Sequence, residues 1–214
     1  MNQPATKTRD LIELRELGIY VPGVIVVEGL DGVGKSTAAK SLAERLNADY
    51  VASPTKEFAK LKDVFDNESA PLERFFFYLI SNYSLSKQVM KRDNSKPLII
   101  DRFVLSTITY HNALMNEDTS KYVRWDKLLN PEIMFHLVAD EETRISRMNI
   151  RGELSRTDVI FEENRTLGRR IESEFESYRN AYIEIDTTRL NPQEVVDRMH
   201  KELKNRDYSC LIQR

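Results

Sequence analysis

The sequence predicts an α/β fold with a five-stranded parallel sheet covered by helices on both faces. Five short apolar or β-branched runs, each bounded by turn or polar residues, are typical of buried strands. They lie at residues 24–27, 50–52, 98–100, 133–138 and 182–185. The stretches between them show helical periodicity, as where Ala39, Leu42, Ala43 and Leu46 share one helix face. Because strands alternate with helices, each connection is long enough to bring the next strand back parallel to the last.

Composition narrows the classes of function. Lys and Arg total 32 against 34 for Asp and Glu, and this balance argues against a nucleic-acid polymer as partner. No apolar run is long enough to span a bilayer, and the polar N-terminus lacks the apolar core of a secretory signal. Together with a single cysteine, Cys210, these features favour a cytoplasmic protein without a membrane partner.

The length of 214 residues suits one domain with a well-buried core, flanked by two short segments. Residues 1–22 are expected to form an N-terminal extension, with a short helix at residues 8–17. Residues 23–204 form the domain itself, and residues 205–214 a polar tail.

The first predicted strand runs directly into a glycine-rich segment. Residues 29–36 match the pattern G-x-x-x-x-G-K-[ST]. This spacing places backbone N–H groups around a phosphate and aims the positive end of the following helix at the same anion. The pattern therefore predicts a P-loop of the NTP-hydrolase fold. The loop residues expected to bind ATP are Gly29, Gly32, Val33, Gly34, Lys35, Ser36 and Thr37.

An acidic residue ends the third predicted strand. We expect this residue, Asp101, and the hydroxyl of Ser36 to organise the Mg²⁺ that accompanies ATP. Arg102, the next residue, then directs a cation towards the transferred phosphoryl group.

A cluster of arginines lies between about residues 144 and 160. Its members are Arg144, Arg147, Arg151 and Arg156. Guanidinium groups match the charge that phosphoryl transfer spreads over the equatorial oxygens, so we interpret the segment as an arginine-bearing lid with Arg151 and Arg156 as catalytic residues. The alternative is a solvated helix face, which most charge runs form. Gly152 interrupts the helical pattern and favours the lid.

Four segments resemble the thymidylate kinase family. They are residues 28–37 (EGLDGVGKST), 101–110 (DRFVLSTITY), 151–156 (RGELSR) and 185–187 (IDT), which are similar to the family's P-loop, its second signature, the lid of its bacterial members and the segment near the adenine. The resemblance spans residues 24 to about 200. It implies an ATP-dependent kinase with a parallel sheet of the nucleoside monophosphate kinase type, and in many members a homodimer.

The resemblance also implies roles for individual residues. Asp31 would lie near the acceptor and the metal, Arg102 on the phosphates and Arg147 against the adenine, with Lys35 completing the catalytic set. Tyr110 would lie beside the acceptor sugar. Either Phe76 or Phe77 would stack on the acceptor base, although aromatic residues at helical spacing are also common core residues.

The acceptor side departs from the family pattern. Ala52 stands where members carry an arginine that grips the acceptor phosphate, and Ser81 and Asn82 stand where a second arginine lies. His111 replaces a glutamine and, like Asn82, is a candidate acceptor-binding residue. Each missing charge-assisted bond is worth about 1.5–3 kcal/mol. Either another cation compensates, or the acceptor differs from thymidine monophosphate. The candidate cations are Lys56, Lys60 and a lid arginine.

We therefore expect a kinase that moves the γ-phosphoryl group of Mg·ATP to a nucleoside monophosphate, with thymidine monophosphate as the first candidate. A kinase of nucleosides or other small hydroxyl acceptors is an alternative. It would need a carboxylate base near the hydroxyl, and Glu57 is the nearest acid downstream of Ser53 at the end of the second strand. A nucleotide-dependent switch or an ATPase is a second alternative, although the sequence lacks the Asn/Thr-Lys-x-Asp motif of GTPases.

Overall fold

A computed structural model describes residues 17–151 and 165–205. Five strands form a sheet in the order β2-β3-β1-β4-β5, and each neighbouring pair is parallel. The strands are β1 (Ile19–Gly29), β2 (Asp49–Ala52), β3 (Leu98–Asp101), β4 (Leu129–Val138) and β5 (Ile183–Asp186). The predicted α/β fold with a five-stranded parallel sheet is confirmed.

Seven α-helices lie within the described ranges. They are α1 (Lys35–Arg45), α2 (Lys56–Glu68), α3 (Pro71–Val89), α4 (Val104–Met115), α5 (Glu141–Arg151), α6 (Arg165–Glu176) and α7 (Pro192–Asn205). Helix α1 packs with α7, whereas α4 packs with both α3 and α6. Alternate residues of a strand point to opposite faces, and all four residues from Val24 to Val27 are buried. Helices therefore cover both faces of the sheet.

Helix α3 follows from strong local signals. Pro71 occupies its first turn, where the missing N–H is not needed, and the side chain of Glu73 accepts the N–H of Ala70 at 2.9 Å. Phe75, Leu79 and Asn82 recur at helical spacing and are buried, and Phe75 and Asn82 contact α4. None of the helices in the two described ranges has the length and apolar composition needed to cross a bilayer.

Strand β1 is longer than its sequence predicts. It begins at Ile19 rather than at residue 24, so residues 19–22 of the predicted N-terminal extension belong to the sheet. Gly23, with a φ of 80°, lies where the pairing with β4 shifts register, and its N–H donates to Glu132 at 2.6 Å. This irregularity accommodates Pro22 and Gly23, which interrupt the apolar run in the sequence. Residues 1–16 of the predicted extension and residues 206–214 of the polar tail lie outside the described residues.

Pairing in the sheet brings the candidate site together. Val27 pairs with Asp101, and Gly29 pairs with Leu137, so β1, β3 and β4 end close to one another. The chain leaves β1 towards β2 on one side, while β4 lies on the other. Ligands of open α/β sheets bind in the crevice at such a topological switch point.

Two leucines on helices differ in burial, and this difference predicts that their substitution by alanine affects stability differently. Leu42 on α1 is fully buried, whereas Leu61 on α2 is 51% exposed. Leu42→Ala should lower the free energy of unfolding by about 2–5 kcal/mol, because it leaves a cavity in the core. Leu61→Ala should change it by less than about 1 kcal/mol. Urea denaturation followed by circular dichroism measures both, and equal losses would contradict this packing.

Candidate active site

Two glycines of the P-loop are required by close packing. Gly29 has a φ of 138°, and a Cβ there would lie 2.3 Å from the carbonyl oxygen of Leu137 on β4. Gly32 has a φ of 84°, and a Cβ there would lie 2.6 Å from the carbonyl oxygen of Arg144 on α5. The loop is thus held between the end of β4 and the first turns of α5.

The third glycine faces open space. Gly34, with a φ of 92°, is the residue before α1, and a Cβ there would have no neighbour within 4 Å. No side chain caps this helix end, and Ser36 and Thr37 are exposed. The first N–H groups of a helix need an external acceptor, and here the helix end is open to a phosphate.

Lys35 is buried beside these groups. Its Nζ donates to the carbonyl oxygen of Leu30 and lies 3.8 Å from Oδ1 of Asp31. Burial, and then the charge of Arg102, lower the pKa of Lys35 to about 8. A buried ammonium whose charge is incompletely balanced is well suited to an anionic ligand.

Asp31, Arg102 and Tyr110 form a cluster that joins the P-loop to α4. The Nη2 of Arg102 donates to Oδ1 of Asp31, and the hydroxyl of Tyr110 donates to Oδ2 at 3.2 Å. The Nη1 of Arg102 lies 3.3 Å from the carbonyl oxygen of Gly29. Burial alone would raise the pKa of Asp31, but the charges of Arg102 and Lys35 hold that pKa well below its usual value. Asp31 is therefore a firmly ionised carboxylate.

Asp101 is buried with one oxygen unused. Its Oδ2 accepts a hydrogen bond from the hydroxyl of Tyr50 at 3.1 Å, whereas Oδ1 has no partner among the described residues. In residues 17–151 and 165–205, no group of three His, Cys, Asp or Glu side chains forms a metal cage. Mg²⁺ in phosphate sites takes one or two protein oxygens together with substrate phosphates. The free oxygen of Asp101 and the exposed hydroxyl of Ser36 fit that requirement.

The first arginines of the predicted lid lie on helix α5. Arg144 is buried, and its Nε donates to the carbonyl oxygen of Asp31 at 2.9 Å. Arg147 donates to the carbonyl oxygen of Thr187 at 2.8 Å and to its hydroxyl at 3.1 Å. The guanidinium group of Arg144 is therefore anchored to the P-loop, and that of Arg147 to the residue after β5. The side chain of Arg151, and Arg156 entirely, lie outside the described residues.

A cavity of about 300 Å³ opens beside Asp31 and Arg102. Helices α2, α3, α4 and α6 and the turn after β2 form its walls. Its charged lining residues are Asp31, Lys62, Asp66, Arg74 and Arg102, and its other polar lining residues include Ser53, Tyr78, Ser106, Thr107, Tyr110 and His111. The cavity thus begins at the phosphate loop and extends away from it.

Two predicted acceptor residues do not line this cavity. Phe77 packs between other rings, with its ring 4.4 Å from that of Phe65 and 5.9 Å from that of Phe58. The core interpretation of this aromatic spacing is therefore correct for Phe77. Asn82 lies one layer behind the wall, where it donates to Thr107 at 2.8 Å and accepts from Ser53 at 3.1 Å.

His111 lines the cavity as a neutral ring. Burial lowers the pKa of His111 to about 4. Its Nδ1 lies 2.6 Å from the carbonyl oxygen of Thr107, which can only accept, so Nδ1 carries the proton. Its Nε2 is then a bare acceptor, and this atom has no partner among the described residues.

Comparison with known proteins decides the family. A model of the thymidylate kinase family matches residues 27–199. The chain belongs to the thymidylate kinase family. The probable thymidylate kinase of Methanocaldococcus jannaschii is 30% identical over 192 residues, covering 85% of this chain and 95% of that protein. The human mitochondrial UMP-CMP kinase 2 is 29% identical over 167 residues, which cover 73% of this chain and 37% of the human protein.

Solved structures of low sequence identity share the fold. Thymidylate kinase from Candida albicans has a TM-score of 0.68 and 17% identity, covering 86% of this chain and 91% of that one. Deoxyadenosine kinase from M. mycoides has a TM-score of 0.63 and 20% identity, covering 85% and 99%. The predicted family and fold are both confirmed.

Part of the cavity wall in this thymidylate kinase family member is not predicted from its sequence. The hydroxyl of Tyr78 donates to Asp66 at 2.8 Å, and Asp66 also accepts from Lys62 at 2.5 Å. Lys62 and Asp66 follow Phe58 at four-residue intervals, so polar residues on the apolar face of α2 are the available signal. Of the cations proposed to replace the missing arginines, Lys56 and Lys60 are exposed and do not line the cavity. Lys62 and Arg74 line it instead.

The lowered pKa of His111 predicts acid sensitivity. An unfolded histidine is protonated below about pH 6.5, whereas His111 in the folded state is protonated only below about pH 4. Between these values the unfolded state binds more protons, so stability falls as the pH falls, by about 3 kcal/mol in total from this group. In His111→Gln the loss of unfolding free energy between pH 6.5 and 4 should be smaller by about that amount.

Denaturant titrations at a series of pH values measure this difference. His200→Gln is the matched control, because His200 is only partly buried and should contribute less. An acid sensitivity that is identical in the wild type and in His111→Gln would show that His111 titrates normally.

Proposed function

We propose that this protein transfers the γ-phosphoryl group of Mg·ATP to a nucleoside monophosphate, with thymidine monophosphate as the first candidate acceptor. The observation that carries the proposal is that Asp31 and Arg102 belong to both halves of the site. Asp31 is a P-loop residue and Arg102 donates to Gly29, yet both line the acceptor cavity. A phosphoryl group bound at the loop and an acceptor in the cavity would therefore meet at these two side chains.

On the donor side, the backbone of the P-loop binds the phosphates of ATP. The residues assigned to ATP are Gly29, Gly32, Val33, Gly34, Lys35, Ser36, Thr37 and Arg147. Arg147 contacts the segment after β5 that the family resemblance places near the adenine. Ser36 and Asp101 would hold Mg²⁺, which neutralises charge on the β- and γ-phosphates when bound.

The catalytic residues stabilise charge and do not transfer protons. We assign catalytic roles to Lys35, Asp31, Arg102, Arg151 and Arg156, of which the four cations stabilise charge directly. Lys35 and Arg102 face the transferred group, while Asp31 holds Arg102 in place. The two remaining arginines extend the predicted lid and complete the charge that phosphoryl transfer requires.

The electrostatics of Asp31 favour a phosphate acceptor over a hydroxyl. A hydroxyl acceptor requires a nearby base. Of the two carboxylates among the described residues that line the cavity, Asp31 is a weak base, because Arg102 and Lys35 stabilise its ionised form. The other, Asp66, already accepts hydrogen bonds from Lys62 and Tyr78. An acceptor phosphate is already nucleophilic and needs only positioning. Lys62 and Arg74 supply cations in the cavity that lacks the two family arginines.

For the acceptor itself, we assign binding to Arg102, Tyr110 and His111 in the cavity, with Asn82 supporting the wall. The bare Nε2 of His111 suits a base that presents a hydrogen-bond donor, as the N3–H of thymine does. Phe77 receives no acceptor role, since its ring is enclosed by Phe58 and Phe65.

A panel of acceptors tests the reaction. The protein is incubated with Mg·ATP and nucleosides, nucleoside monophosphates and other small hydroxyl compounds, and ADP release is followed with an acceptor-free blank. ADP release that depends on thymidine monophosphate supports the proposal. Release with nucleosides alone would indicate a nucleoside kinase. Acceptor-independent release would indicate an ATPase, and no release by a folded, nucleotide-binding protein would contradict the kinase assignment.

Lys35→Ala tests the donor side. It should lower kcat/KM by about 100-fold or more, because it removes a preorganised cation from the transferred phosphoryl group. Lys40→Ala, an exposed lysine on the same helix, is the control and should leave turnover unchanged. Circular dichroism checks that both variants fold. Turnover that persists in Lys35→Ala would exclude the assigned site.

We also propose that the protein acts in the cytoplasm as a homodimer. Leu72, Phe76 and Ile80 recur every four residues along α3 and are 38–55% exposed, and this apolar stripe supports contact with a second copy. Size-exclusion chromatography with light scattering measures the mass, and a monomer at micromolar concentration would contradict the dimer.

A further inference from the structure

Glu28 is a fully buried carboxylate to which the proposed mechanism assigns no role. It is the last residue of β1 before Gly29, and its side chain is 0% exposed. Its Oε1 accepts the N–H of Phe103 at 3.0 Å and the N–H of Ser106 at 3.2 Å, and its Oε2 accepts the hydroxyl of Ser106. Glu28 therefore caps the N-terminus of α4, where Phe103 offers no capping side chain.

The hydrogen bonds of Ser106 have a defined direction. Its Oγ also lies 3.3 Å from Nη1 of Arg102. Burial raises the pKa of Glu28, although the hydrogen bonds from Ser106 and Phe103 and the charge of Arg102 oppose that rise. In the ionised form, which these donors favour, the carboxylate can only accept. Arginine can only donate, so the single hydroxyl proton of Ser106 then points to Glu28. A lone pair of the same oxygen is then left for Arg102. Ionised Glu28 thus determines which side of Ser106 faces the guanidinium group.

Glu28 also holds the backbone from which Arg102 projects. Arg102 has a φ of 66°, in the left-handed region that non-glycine residues adopt at an energetic cost. Its N–H donates to the carbonyl oxygen of Val27 at 3.0 Å, on the strand that carries Glu28. Glu28 binds the N–H groups of Phe103 and Ser106 just after the turn. The same short stretch of β1 therefore fixes both sides of the strained residue.

We propose that Glu28 is a positioning residue that acts through Ser106 to hold the guanidinium group of Arg102 for phosphoryl transfer. This inference rests on the proposed kinase function for the role of Arg102. It requires a carboxylate rather than an amide, because the NH₂ group of glutamine is a donor. Such a group would turn the hydroxyl proton of Ser106 towards Arg102, where two donors would oppose each other.

Glu28→Gln tests the proposal with a matched control. Glu132→Gln makes the same change at another buried carboxylate that binds a backbone N–H, at the opposite end of the sheet. With thymidine monophosphate, or the monophosphate that the panel identifies, Glu28→Gln should lower kcat by about tenfold or more. The Kd for ADP should change by less than about twofold, since ADP binding needs the P-loop backbone but not Arg102. Glu132→Gln should keep the wild-type kcat.

A double-mutant cycle identifies Arg102 as the target. In an Arg102→Ala background, Glu28→Gln should lower kcat by less than about twofold further, because the group that it positions is gone. Ser106→Ala removes the link but leaves both backbone hydrogen bonds of Glu28, so the helix cap survives. It should lower kcat in the wild type and have little effect in Arg102→Ala. This second variant decides the question if Glu28→Gln fails to fold.

A folded Glu28→Gln with wild-type kcat would overturn the inference, as would an undiminished effect in the Arg102→Ala background. If the wild type turns over no monophosphate, the proposed function fails by itself. The cycle is then measured on the unfolding equilibrium. Non-additive effects of Glu28→Gln and Arg102→Ala would support the link, and effects that multiply within about twofold would overturn it.

Discussion

The ion pair between Asp31 and Arg102 is the contact on which the rest of the site depends. It ties the P-loop to the turn between β3 and α4, two segments 71 residues apart in the chain. Each side chain is about one fifth exposed, at 21% for Asp31 and 23% for Arg102. Without the carboxylate, the charges of Lys35 and Arg102 would repel each other across the loop, and partly buried like charges are costly. The pair therefore allows two cations to occupy the place where phosphates bind.

Much of the fold was predictable because its signals are local. The apolar runs before Asp101 and before Gly29 predict strands by themselves, and the glycine spacing predicts the phosphate loop. The start of β1 was not predictable in the same way. Pro22 and Gly23 indicate the end of a strand in the sequence, but β1 pairs with β4 on both sides of them. Strand pairing is a property of two segments, and one segment does not reveal it.

The donor and acceptor halves of the site also differ in how far the sequence predicts them. Most of the donor half lies on one continuous stretch, from Gly29 to Thr37, so the sequence predicts these residues directly. The acceptor half is assembled from α2, α3, α4 and α6. Asp66 enters it only because α2 packs Phe58 and Phe65 against Phe77, which turns the polar residue on that face inward. Phe77 shows the opposite case, since its helical spacing fits both a core residue and a stacking residue, and packing decides for the core.

The pairing of Val27 with Asp101 has a consequence for how the protein folds. The phosphate loop and the arginine that faces it sit at the same level of adjacent strands, but more than seventy residues of chain separate them. No partly folded form that lacks the β1–β3 pairing can hold a nucleotide in the complete site. A ligand that contacts both the loop and Arg102 therefore adds its binding free energy only to the fully paired sheet, and it acts as a selective stabiliser of the finished fold.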